Sequence, residues 1–214
     1  MEDRLISGLY LEMTDRPADA YASARVPEVL ARPGVARATW WENVNRDRDD
    51  LPRALPEFSH LGVYETTPEF DASTTPDDVT GHQFRRYPRP GQGRITGRPT
   101  IGLSLVLISP RTPEEAQALR DWGDFVHIRH IAEVGVPGYS MITPYENVSG
   151  GDPRFMHFYE MDTDDPETAF KAMTPLVEER IGRAGTPEFK AWAFHPALRI
   201  MYVNSFRRLG ASDE

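Results

Sequence analysis

At 214 residues with 39% hydrophobic side chains, the chain can bury a sizeable core, and no run approaches the ~18 apolar residues of a membrane span. A net charge of −9, from 24 basic and 33 acidic residues, argues against a nucleic-acid binder that tracks phosphates. The absence of cysteine excludes disulfides, thiolate catalysis and cysteine-based zinc or iron–sulfur centres. It fits a cytoplasmic protein, and the acidic start Met1-Glu2-Asp3-Arg4 lacks the basic and apolar pattern of a signal peptide.

In chain order, Leu5 to Met13 is apolar and β-rich and reads as a strand, and 17–30 has helical composition with Pro27 near a bend or end. Pro33-Gly34 signals a turn, 35–44 a second strand, 45–56 a polar loop and 59–66 a third strand. The Pro-, Asp- and Thr-rich stretch 67–80 leaves room for a short helix, and 82–87 reads as a fourth strand. The Gly- and Pro-dense segment from Arg89 to Pro99 reads as a connector. It is basic, but no Lys-Ser/Thr and no helix start follow it, as a phosphate-binding loop requires. Beyond it lie a strand at 101–109 and a helix opened by Thr112-Pro113-Glu114-Glu115 and running to about Val134. Strands at 139–148 and 155–162, helices at 166–183 and 187–194, and a closing strand at 198–206 complete the pattern.

The two halves repeat each other. Pro33-Gly34 through Glu42-Asn43-Val44 returns as Pro137-Gly138 through Glu146-Asn147-Val148 at a constant offset of 104. Tyr64-Glu65 returns as Tyr159-Glu160 at an offset of 95, so the first copy carries nine extra residues in the loop between. Each half reads β-α-β-β-α-β, the ferredoxin-like order. The expected chain is α+β, with tandem repeats at 1–88 and 101–214 joined by a connector at 89–100.

The segment Phe125-Val126-His127-Ile128-Arg129-His130-Ile131-Ala132-Glu133-Val134-Gly135-Val136-Pro137-Gly138 resembles the core of EthD-like proteins, members of the dimeric α+β barrel superfamily. That pattern has an aromatic residue, then Glu-His-Ile-Pro, then a Pro-Gly turn before the second strand. Arg154 to Glu160 fits its third strand. The second copy keeps His130, has Arg129 where the family has Glu, lacks the Pro and is one residue shorter before Pro137. The first copy, Arg25 to Gly34, is weaker: it keeps Pro27-Glu28 and has Arg25 where the family has His. The resemblance implies two sheets packed face to face as a barrel. In a fused chain the barrel closes within one molecule, giving a monomeric pseudo-dimer, or a homodimer of such chains. It also implies a small-molecule substrate and no organic cofactor. Polyketide cyclases, lactone isomerases and quinone-forming monooxygenases belong to this superfamily. Haem proteins of the chlorite dismutase group share the fold, but their signatures are not evident in this sequence.

Alternation along the third strand of the second half puts Phe155, His157 and Tyr159 on one face and Met156 and Phe158 on the other. The first half matches with His60, Gly62 and Tyr64 against Leu61 and Val63. The aliphatic sets suit helix packing, and the aromatic and polar sets suit a cavity inside the barrel. His157 with Tyr159 is the expected catalytic pair, an imidazole base beside a phenol that donates to a developing oxyanion. The competing reading is a buried histidine and tyrosine satisfied by the sheet.

His127, His130 and Glu133 share a helix face at metal-ligand spacing, yet no further ligand is visible, and no metal is expected. The resemblance instead brings His130 alone to the pocket from the helix end, and His130 and His127 join His157 and Tyr159 as the candidate catalytic residues. Arg25, Trp40, Trp41, Tyr64, Tyr145 and Phe155 are the candidate substrate contacts. Trp40 and Trp41 lie on opposite faces of a strand, so at most one lines a cavity, and Arg25 either binds a carboxylate or pairs with a neighbour. His82 and His195 read as structural or surface residues.

The expected function is cofactor-free cyclase, isomerase or monooxygenase chemistry on an aromatic or polyketide-like substrate, with a working pocket in the second half. A non-catalytic, stress-related or ligand-binding protein is the alternative, and a haem or metal-binding barrel is a second alternative.

Overall fold

The repeated sequence closes on itself. In a computed structural model that describes residues 7–213, the strands are β1 (Gly8–Thr14), β2 (Val35–Asn43), β3 (His60–Thr66), β4 (Val79–Arg86), β5 (Gln92–Gly93), β6 (Gly102–Pro110), β7 (Tyr139–Asn147), β8 (Phe155–Met161) and β9 (Leu198–Ala211). Their order is β4-β1-β3-β2-β9-β6-β8-β7, and β4 pairs again with β7, so eight strands form an antiparallel barrel. Each half contributes four strands in the same internal order, and β2–β9 and β4–β7 are the two seams. The two-residue β5, absent from the sequence reading, continues along the same edge of β7 that β4 occupies. The expected α+β barrel, closed within one chain, is therefore present. Leu5 and Ile6, expected to open the first strand, and Met1 to Arg4 lie outside the described residues.

Helices cover the outside of the barrel. In the first half α1 (Ala18–Ala20) and α2 (Val26–Leu30) flank a π-helical turn, Tyr21–Arg25. In the second half α3 (Ala116–Trp122) and α4 (Ile128–Val134) flank another, Gly123–His127. The α3 start carries a full capping box between Thr112 and Glu115. Asp165 caps α5 (Pro166–Ile181), and Thr186 caps α6 (Pro187–Ala193). The short helix expected within 67–80 does not form; the stretch is turns and extended chain. Among the described residues, no helix is long and apolar enough to cross a membrane.

Most echoes in the sequence prove architectural. Gly34 and Gly138 both adopt positive φ, 82° and 86°, in the turns before β2 and β7. Asn43 and Asn147 each tie down the loop that follows their strand. Asn43 accepts from the Asn45 amide (3.0 Å) and donates to the Phe58 carbonyl (2.9 Å). Asn147 accepts from the Ser149 amide (2.9 Å) and donates to the Pro153 carbonyl (2.9 Å).

The strand faces run opposite to expectation. The aliphatic sets point into the barrel. Leu9, Leu11 and Met13 of β1, Leu61 and Val63 of β3, Leu103, Leu105 and Leu107 of β6, and Met156 and Phe158 of β8 form one buried cluster with Trp41, Phe84 and Phe206. The His157–Tyr159 face and the Gly62–Tyr64 face turn outward, beneath the helices. The physical reason is closure. A small barrel is filled largely by its own strands, and the histidine-bearing cavity lies between sheet and helices instead.

That space is packed shut in the first half. The carboxylate of Glu12 accepts bonds from Arg25 Nε (3.1 Å to each oxygen), Tyr10 Oη (3.1 Å) and Tyr21 Oη (2.9 Å), and the Tyr21 and Tyr64 hydroxyls lie 2.7 Å apart. Tyr21 stands directly over Gly62: a Cβ at that position would come within 1.9 Å of the Tyr21 hydroxyl. Gly62→Ala should therefore destabilise the protein by about 1–3 kcal/mol. Adding Tyr21→Phe should make the double loss smaller than the sum of the single ones by roughly 0.5 kcal/mol or more, as urea denaturation would show. Strictly additive losses would disprove the contact.

Candidate active site

The equivalent space in the second half is open. Strand pairing sets Gly62 opposite Glu12 and Tyr64 opposite Tyr10, and likewise His157 opposite Val106 and Tyr159 opposite Ser104. The two π-helical turns align Tyr21 with Gly123 and Arg25 with His127. Two tyrosines and an ion pair in the first half thus correspond to glycine, serine, valine and histidine in the second. The size order across the gap also reverses: Tyr21 over Gly62 becomes Gly123 over His157, where a Cβ on Gly123 would lie 2.9 Å from the imidazole. The result is a cavity of about 340 Å³ walled mainly by apolar side chains, including Trp122, Phe170, Met173, Phe189 and Trp192. That volume suits a small organic ligand.

Two histidines and a tyrosine face this cavity. His157, on β8, is buried, and its Nε2 lies 3.3 Å from Asp124 Oδ1. Asp124 is buried too, in the π-helical turn, and its other oxygen accepts from Arg89 (2.9 Å). Arg89 also bonds Asp121 (2.5 Å), and the Gln92 side chain donates to the Asp124 carbonyl (2.8 Å). The segment read as a plain connector therefore clamps Asp124. With Nε2–H donated to the carboxylate, His157 keeps its basic lone pair on Nδ1.

His127 is held differently. Its Nδ1 donates to the Trp192 carbonyl (3.0 Å), the Trp192 indole donates back to the His127 carbonyl (3.1 Å), and the two rings stack with centroids 5.2 Å apart. Burial pushes the His127 imidazole down to about 4, so it is neutral at physiological pH and Nε2 acts as an acceptor. Burial raises the Tyr159 phenol above its ordinary value, so it stays a protonated donor on a side chain that lines the cavity.

The remaining expected site residues lie elsewhere. His130 is outside this cavity, half-buried, with Nδ1 3.8 Å from Glu133. Its expected equivalence with Arg25 shifts to His127, because α4 is two residues longer than α2. Arg25 and Tyr64 are locked in the packed first half, so Arg25 pairs with Glu12 rather than with a ligand carboxylate. Trp40 packs outside the barrel against Gly210. Trp41 and Tyr145 face the barrel interior and line a separate cleft at one barrel end with Glu65 and Glu160. Phe155 lies behind His157, under the Arg120 guanidinium (4.3 Å). Among the described residues, no three His, Asp or Glu side chains come together to hold a metal, so the His127-His130-Glu133 spacing does not build a metal site.

No family model and no curated protein matches the sequence. Solved structures are similar in fold. An anthrone oxidase-like protein is 13% identical, with 95% of this chain and 91% of that one covered and a TM-score of 0.53. A proposed monooxygenase from Fusobacterium nucleatum is 8% identical, with 97% and 95% covered and a TM-score of 0.50. One from Lactobacillus acidophilus is also 8% identical, with 96% and 95% covered and a TM-score of 0.50. The chain shares the dimeric α+β barrel fold. At these identities the likeness reaches no further than the fold.

The bonding of His127 has a consequence for stability. Between about pH 4 and 6.5 the unfolded chain binds a proton at this residue that the folded chain refuses, so stability falls as pH is lowered through that window. His127→Asn, which keeps a donor for the Trp192 carbonyl, should remove up to about 3 kcal/mol of that loss. His82, also shifted down by burial, leaves a residual slope in the variant. Urea midpoints at pH 7 and pH 4.5 measure the difference, and equal slopes in wild type and variant would refute it.

Proposed function

We propose that the second-half cavity is the active site of a cofactor-independent oxygenase acting on a planar, hydroxylated aromatic of the anthrone kind. The observation that carries this reading is a buried histidine, backed by a clamped carboxylate, at the wall of an apolar cavity. The fold likeness to an anthrone oxidase-like protein and to proposed monooxygenases supports it, as does the resemblance of residues 125–138 to EthD-like proteins.

His157 Nδ1 takes a proton from the acidified methylene of the substrate, and Asp124 steadies the imidazolium that forms. The Tyr159 hydroxyl donates to the oxyanion that develops on the ring. Neutral His127 accepts a bond from a substrate hydroxyl and orients the ring plane. The electron-rich anion reacts with dioxygen to form a C–O bond. The resulting peroxide loses its second C–H proton and breaks its O–O bond, releasing water. The net change turns CH₂ and O₂ into C=O and H₂O.

Oxygen uptake with anthrone as substrate tests this. His157→Ala should cut kcat/KM by ~10²–10⁴, and Asp124→Asn by ~10-fold or more with a smaller change in KM. Wild-type rates in His157→Ala would exclude the histidine as base. Turnover without oxygen uptake would favour the cyclase or isomerase reading of the same base. No turnover, with the ligand still bound, would favour a binding protein. A haem-binding alternative would use the His127 Nε2 lone pair; added haemin is expected to give no Soret band that His127→Asn abolishes.

A further inference from the structure

The nine extra residues of the first half remain unexplained by the barrel. They belong to the segment 44–59, which has neither helix nor strand and leaves β2 beside β9, the seam between the halves. Its second-half counterpart, between Asn147 and Phe155, is short. The long segment crosses the seam. Asp50 and Leu51 line the second-half cavity, and they are its lining residues drawn from the first half.

One side chain holds this strap in place. Arg48 is buried although its neighbours Asp47, Asp49 and Asp50 are exposed. Its Nη2 bonds the Glu167 carboxylate at the start of α5, its Nη1 bonds both Asp50 oxygens (3.1 Å each), and its Nε bonds Asn204 Oδ1 (3.3 Å) on β9. Its guanidinium lies 4.6 Å from the ring centroid of Phe170, a wall of the same cavity. Asn45 adds a second bond to Glu167 (3.0 Å). Downstream, the Ala54 and Leu55 amides both bond the Met201 carbonyl (2.9 and 3.1 Å). The strap is pinned at 45–48 and again at 54–55, and its cavity-facing residues lie between.

We propose that this strap determines which aromatic ligands the second-half cavity admits, with Leu51 as a specificity-determining residue and Arg48 as the positioning residue that holds it. The inference rests on the cavity being the ligand site. Leu51 is half-buried on the cavity wall, so its bulk limits the room left for a planar ligand, and the strap discriminates by ring number. Arg48 is suited to the task because its planar fork satisfies acceptors on three elements at once while its face stacks on Phe170. Its effect on ligands is indirect and passes through residues 50 and 51.

Stopped-flow fluorescence with 1-aminoanthracene (three rings) and 1-aminonaphthalene (two rings), on the full chain, tests the proposal. Leu51→Trp should slow association of the three-ring probe at least tenfold more than that of the two-ring probe. Arg48→Met should raise both association and dissociation rates of the three-ring probe about tenfold and narrow the difference between the probes. A merely structural role for Arg48 would lower the thermal midpoint without changing ring selectivity. Leu51 lies in a loop, so its variant remains informative if Arg48→Met folds poorly. If wild type binds both probes and Leu51→Trp leaves their rates within twofold of wild type, this proposal is overturned alone. If wild type binds neither probe, the cavity reading fails and this proposal with it.

Discussion

In each half of the barrel the first helix lies so close to the sheet that only one of two facing positions can carry a bulky side chain. In the first half the helix supplies the bulk, with Tyr21 above Gly62; in the second the sheet supplies it, with His157 beneath Gly123. Everything distinctive about the second half follows from that reversal. Bulk on the helix, joined by Tyr10 and Tyr64, fills the space and seats a buried ion pair. Bulk on the sheet, with Ser104 and Val106 beside it, leaves a void whose floor carries an imidazole. What sets this opening apart is its lining, with tryptophan and phenylalanine walls and a buried histidine on its floor.

The two halves also handle buried charge in opposite ways. Glu12 and Arg25 stabilise one another because the carboxylate also accepts from Tyr10 and Tyr21 while the guanidinium also bonds Glu28, and removing either partner alone would cost about 3–5 kcal/mol. In the second half the charge is kept off the cavity axis. Asp124 is held behind the cavity wall by Arg89, which also bonds Asp121, His127 stays neutral, and the one carboxylate on the wall, Asp50, is paired with Arg48. Fusion permits this division, since two identical chains would have to make the same choice twice.

The fold was legible in the sequence because its signals are local. Positive-φ glycines after proline, asparagines that tie a loop to its own strand, and alternation over seven-residue strands need no knowledge of the partner half. The grouping of Phe155, His157 and Tyr159 was legible for the same reason. Which way that face points was not, because both faces of each strand are buried and apolar content does not separate a barrel interior from a helix interface. Asp124 escaped notice because its role depends on Arg89, thirty-five residues away in a segment whose glycines and prolines speak only of a connector. Leu51 and Arg48 were hidden by distance as well: a polar loop in one repeat gives no local sign that it serves the other.

The π-helical turns give the first helix of each half one residue more than an α-helix would need. The bond from the Val26 amide reaches back to Tyr21, and that from Ile128 to Gly123, five residues in each case. Because each residue of an α-helix advances the chain by about 100°, the inserted residue offsets the two ends of the helix by that angle. Both ends can then turn an apolar stripe to the sheet while the widened turn aims Asp124 and His127 inward together. A single-residue deletion within 123–127 would restore regular helix yet swing one end away from the barrel. The geometry of the site is thus written in chain length as well as in side chains, and insertions or deletions there are a more severe perturbation than most substitutions.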